Sequence, residues 1–232
     1  MKNNKIYYLI RTVLLFSYYI FGTIIFNKIF ELFGINNSII PMIVTDIIFF
    51  IVIICIYKEK LKINFVSFKN EYSTKKKILI IFKWFFIILI VNMVIGILKK
   101  TFSLNIDNVI DENATAVIQL FDISFIYSLF KTLLFAPIAE ELLFKESIND
   151  VVKNNILFVI ISISIYTVMN FMYASSDIVF LDLFNYFIFS VILSIAYIRN
   201  NNNIVIVMFI KLFYNIIPTL MLIITMIAGV AA

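Results

Sequence analysis

Seven apolar runs dominate this chain, at 8–33, 39–57, 78–98, 121–144, 156–174, 178–198 and 204–227. Each is long enough to cross about 30 Å of hydrocarbon as a helix rising 1.5 Å per residue. With 63% hydrophobic residues and a mean hydropathy of +1.05, too little polar surface remains for a soluble globule. The expected fold class is therefore all-α, a polytopic transmembrane bundle of about seven spans forming one integrated membrane domain. Within it, 1–120 would hold the N-terminal helices and a basic cytoplasmic loop, and 121–232 the core. The first run follows Lys2, Lys5 and Arg11 but is too long for a signal peptide and has no small-residue cleavage site, so it is expected to stay attached.

Charge sets the expected orientation. The most basic stretch, a loop between the second and third runs, carries seven lysines from Lys58 to Lys77 against Glu59 and Glu71, which places it in the cytoplasm of a cell-membrane protein. Threading from there puts the N-terminus and Arg199 inside, and the acidic segment of Asp107, Asp111 and Glu112, the Ser175–Asp177 turn and the C-terminus outside. Lys99 and Lys100 run against this, but lysines at a helix end snorkel to the interface. Asn200–Asn203 reads as a simple connector. The positive charge shows no aromatic-basic interleaving on a soluble face, so it is read as topology signal and not as nucleic-acid binding. The chain has no histidine and one cysteine, Cys55, which excludes an internal disulfide and argues against a zinc site of the usual nitrogen and sulfur ligands. No cofactor and no metal are expected. Lipid is the one partner the composition itself names.

Ionisable groups at membrane depth are costly, roughly 2.5 to 3.5 kcal/mol each on insertion scales, and usually have a purpose. The clearest are Glu140 and Glu141 in the fourth run. Continuing that helix to about Val152 places Glu140 about 18 Å from its end. Glu141 and Lys145, four apart with the acid first, have the favourable order for a helical ion pair. Glu140, turned about 100° away, would be left as the free group, a carboxylate in low dielectric poised to take a proton from water. Pro137 should kink the helix beside it. Asn170, four residues after Tyr166, and Lys211 and Asn215, also four apart, lie at comparable depth in the fifth and seventh runs. Singly, the two asparagines are interhelical hydrogen-bond glue; together with Lys211 they are able to converge on Glu140. Lys211 would pair with Glu140, lose its proton, or snorkel. Asp46 and Lys131 are candidate partners, and Lys83 and Asp182 are expected at interfaces.

The stretch Pro137-Ile-Ala-Glu140-Glu141-Leu-Leu-Phe144-Lys145, with Tyr166-Thr-Val-Met-Asn170 and Lys211-Leu-Phe-Tyr-Asn215 following on successive spans, resembles the motif series of the CPBP or Abi membrane proteins over roughly residues 121–220. That family includes type II CAAX-processing proteases and bacteriocin-processing or bacteriocin-immunity proteins. The resemblance implies a glutamate and a histidine that activate water, with a further histidine and an asparagine binding the oxyanion. Carried over, Glu140 is the base and Asn215 an oxyanion donor, while Asn170 and Lys211 stand where the family has its two histidines and Lys145 where it has arginine. Asparagine does not shuttle protons at physiological pH, and a lysine beside Glu140 is able to quench it. The expectation is thus a degenerate intramembrane protease acting in peptide binding, self-immunity or regulation, or alternatively a slow glutamic endopeptidase using Glu140, with a membrane-embedded or secreted peptide as ligand or substrate.

Overall fold

A computed structural model describes residues 2–35, 39–71, 73–102, 124–172 and 180–227. Among them the chain is all-helical: α1 (Lys2–Leu32), α2 (Ile39–Glu71), α3 (Thr74–Phe102), a composite α4 over 125–151, α5 (Asn155–Met172), α6 (Phe180–Arg199) and α7 (Ile204–Ile227). Four of these contain stretches long and apolar enough to cross a membrane, Lys5–Leu32, Ile39–Glu71, Thr74–Leu98 and Ile204–Ile224. The other three expected spans differ for identifiable reasons. The described parts of α5 and α6 are apolar but shorter, and α4 is interrupted by Lys131, Glu140, Glu141, Lys145 and Glu146.

Those charges are tolerable because α4 is central. It packs against α1, α2, α5 and α7, and every residue from Glu141 to Ile148 is buried. Phe135, Ala139, Leu142, Leu143 and Phe144 form the middle of the apolar core. α5 lies along α6, while α3 closes the far side against α6 and α7. The outer helices show lipid-type faces, with Leu14, Ile24, Ile51, Ile90 and Met93 exposed.

Two expectations about connections change. The basic loop is not a loop: α2 runs unbroken to Glu71 and α3 starts at Thr74, so the lysines ride on a helical hairpin. Lysine and glutamate are good helix formers, and no proline or glycine interrupts the stretch. Nor is Asn200–Asn203 a plain connector. Asn201 and Asn202 hold φ of 57° and 56°, the left-handed region that asparagine tolerates better than most residues. Their neighbours Asn200 and Asn203 are buried, and Asn203 donates to the Asn64 carbonyl of α2 at 3.0 Å.

The acidic segment 107–112, the 175–177 turn, the C-terminal residues 228–232, and the side chains of Lys99, Lys100 and Asp182 lie outside the described residues.

Candidate functional site

α4 begins as an ordinary helix at Phe125–Phe130, is π-helical over Lys131–Glu140 and Leu142–Ser147, and ends in a short α-turn at Ile148–Val151. Such wide turns, closed by i→i+5 bonds, are rare and concentrate at functional sites. Pro137, expected to kink the helix, sits inside the wide stretch. In i→i+5 register its missing N–H would have served the carbonyl of Thr132. That carbonyl instead accepts from the side-chain amide of Asn215 at 2.7 Å. An amide from α7 thus replaces a backbone donor that the sequence of α4 cannot supply.

The widened turn also rearranges the acids. Adjacent residues sit at a smaller angular step than in an α-helix, so Glu140 and Glu141 reach the same neighbour. That neighbour is Lys211 of α7, whose Nζ lies 3.0 Å from Glu140 Oε2 and 2.7 Å from Glu141 Oε1. The same change moves i,i+4 positions off a common line. Among the described residues no ion pair joins Glu141 to Lys145, contrary to the helical spacing. Lys145, 1% exposed, donates to Ser162 Oγ of α5 at 2.9 Å, and Ser162 in turn donates to the Phe144 carbonyl at 2.8 Å. Glu140 is correspondingly not the free group. Its second oxygen accepts from Tyr19 of α1 at 3.2 Å. Glu141 is fully enclosed, and its Oε2 is buried with no hydrogen-bond partner.

Aromatic rings wall the cluster. Tyr166 lies under both amines, 5.5 Å from Lys211 Nζ and 5.8 Å from Lys145 Nζ. Phe144 packs edge-on against Phe16, Tyr19 and Tyr166. In this low-dielectric surround the two carboxylates and two amines cancel formally, which is the condition under which charges persist away from water.

Of the six residues singled out in the sequence, Glu140, Glu141 and Lys211 form one ion cluster. Lys145 lies against the same ring of Tyr166. Asn170 is turned to its own helix, donating to the Tyr166 carbonyl at 2.8 Å, and Asn215 serves Thr132. Tyr19 and Ser162 are contacts the sequence did not disclose, since one tyrosine or serine among many on apolar helices carries no signal.

Asp46 does pair with Lys131, with Tyr127 donating to the same carboxylate oxygen. A third network was not foreseen. Lys60 pairs with Glu146 and Asp150, Arg11 pairs with Asp150, and Tyr197 donates to Glu146 at 2.9 Å. It ties the N-terminal half of α1 and the C-terminal half of α2 to the end of α4. Among the described residues no group of three or more histidine, cysteine, aspartate or glutamate side chains is placed to hold a metal ion.

Residues 122–217 match the family described as type II CAAX prenyl endopeptidase Rce1-like. Over these residues the chain is similar to that family. The match contains all of α4 and α5, the turn into α7, and each of the six residues discussed above; α1 to α3 lie before it. No curated protein and no solved structure matches the chain.

Proposed function

We propose that this multi-pass membrane protein uses its Rce1-like core to bind a membrane-embedded or secreted peptide beside Glu140 without cutting it, in a self-immunity or regulatory role. The observation that carries this reading is the Lys211 amine bound to both Glu140 and Glu141. A general base must be free to accept a proton from water within hydrogen-bond reach, whereas Glu140 is held by a buried cation. The helpers are committed as well: the Asn170 amide to its own helix and the Asn215 amide to Thr132. Loss of positioned acid-base assistance costs about 10²- to 10⁴-fold in rate, and loss of an oxyanion donor about 10²- to 10³-fold. The proposal includes an N-terminus in the cytoplasm, supported by Arg11 and Lys60 meeting at Asp150, which puts the start of α1 at the same end as the basic hairpin.

A slow glutamic endopeptidase is the second reading. It is favoured by the Glu140 side chain remaining 16% exposed, which leaves one carboxylate of the cluster within reach of water.

Incubation of the purified protein with a membrane-spanning reporter peptide separates the two. The binding reading expects the unaltered protein and Glu140→Gln to bind the peptide equally and to leave it intact. Cleavage is expected only after Asn170→His with Lys211→His. Cleavage by the unaltered protein that disappears in Glu140→Gln refutes the binding reading and establishes the enzyme.

A further inference from the structure

The hairpin of α2 and α3 is where the chain's positive charge meets its least explained apolar surface. α2 has 33 residues, about 50 Å of helix against about 30 Å of hydrocarbon, so about 20 Å extends beyond the core of a bilayer. Lys58, Lys62, Phe65 and Lys69, at i, i+4, i+7 and i+11, follow one line of that extension, and all four are exposed. Lys75 and Lys83 are exposed on the opposing arm. Interleaved with them are large apolar side chains: Ile63 is 67% exposed, Val66 51% and Leu79 60%.

Neither of the two simple surroundings suits this surface. Hydrocarbon rejects the lysines, and water disfavours the exposed isoleucine, phenylalanine, valine and leucine side chains set among them. Lysines alternating with apolar groups match the headgroup layer, where the ammonium groups meet phosphates and the apolar groups enter the acyl boundary. The hairpin is also fixed to the core. Ile204 N–H donates to Asn64 Oδ1 at 3.2 Å, and Phe68 stacks on Phe209 at 5.7 Å. Ile204 starts α7, and Lys211 lies seven residues further, about 10 Å along the helix.

We propose that the α2–α3 hairpin docks on an anionic phospholipid leaflet and, through Asn64 and Phe68, sets the depth at which α7 holds Lys211 against Glu140. The occupant is the lipid surface because the exposed charge is predominantly positive and the hairpin continues two helices that are themselves long and apolar enough to span the membrane. The inference rests on the membrane placement of the chain and is independent of whether the core binds or cuts a peptide.

The natural cysteine, Cys55, is the one cysteine in the chain, which permits a direct test. In a Cys55→Ser, Asn70→Cys protein, reconstituted first and then labelled with an environment-sensitive dye, only outward-facing hairpins report. Quenching by aqueous acrylamide, a neutral quencher that the surface charge does not repel, is compared in vesicles of phosphatidylcholine alone and of phosphatidylcholine mixed with phosphatidylglycerol. The expected result is several-fold weaker quenching on the mixed vesicles, lost at high salt as the surface potential is screened. Each lysine near an anionic surface contributes roughly five-fold to partitioning. Changing Lys58, Lys62, Lys69 and Lys75 to glutamine should therefore abolish the difference, while changing the same four to arginine should keep it and show that the hairpin still folds. Equal quenching in the two lipids, or shielding that persists in the glutamine variant, overturns the proposal; the latter would indicate contact with protein and not with lipid phosphate.

Discussion

Lys211→Met tests the centre of the site most directly. Methionine keeps the length and apolar stem of lysine and removes only the amine that holds Glu140 and Glu141. Breaking a buried ion pair by deleting one partner costs about 3–5 kcal/mol, because the other charge is left uncompensated. The two carboxylates should not share that cost equally. Glu141 is 1% exposed and already has one oxygen without a partner, whereas Glu140 is 16% exposed and also receives Tyr19. Water and the tyrosine hydroxyl can carry Glu140 after the amine is lost, whereas among the described residues no second hydrogen-bond donor reaches Glu141, which keeps only the through-space attraction of Lys145. In the Lys211→Met background, Glu141→Gln should therefore restore about 0.5–3 kcal/mol, the range of coupling between residues in contact, and Glu140→Gln clearly less. Reversible unfolding of the purified proteins in mixed micelles, followed by loss of helix signal, measures all four. A Lys211→Met penalty below about 1 kcal/mol, or a better rescue from Glu140→Gln than from Glu141→Gln, would refute the claim that Lys211 is the buried counter-ion of Glu141.

Asn215→Ala should cost about 1–3 kcal/mol by leaving the Thr132 carbonyl without a donor, and Pro137→Ala in the same protein should recover part of it by restoring a backbone N–H; no recovery in the double variant means the amide has another role. Gly22→Ala should loosen α1 from α2, since a Cβ there would stand 2.8 Å from Thr45 Cγ2; overpacking of this kind costs about 1–3 kcal/mol, read as a lower unfolding midpoint, and Gly22→Ser should be no better tolerated. Asp150→Asn removes the carboxylate shared by Arg11 and Lys60 and should increase proteolytic nicking near the N-terminus of α1, whereas Glu31→Gln on the same helix serves as a control expected to leave nicking unchanged.

What could be read in the sequence was what depends on the energy of transfer from water. The membrane class and the seven helices follow from residues that are costly or favourable in hydrocarbon wherever they face. The pairing of Asp46 with Lys131 was legible for the same reason, since two isolated opposite charges at depth need each other. The Glu141–Lys145 pair and the free Glu140, both misassigned, share a single cause in α4, whereas Asn170 is kept from Glu140 by its bond to the Tyr166 carbonyl of its own helix. The expectation of a Glu141–Lys145 pair and a free Glu140 assumed 3.6 residues per turn, and the wide turns around Pro137 change which side chains share a face. Helical spacing is a statement about backbone register before it is one about side chains. The register of α4 is in turn supported from α7, where Asn215 meets the Thr132 carbonyl. Pro137, Asn215 and the Glu140–Glu141–Lys211 cluster are consequently one device: the proline frees a carbonyl, the asparagine occupies it, and the widened turn that results delivers two neighbouring glutamates to one amine.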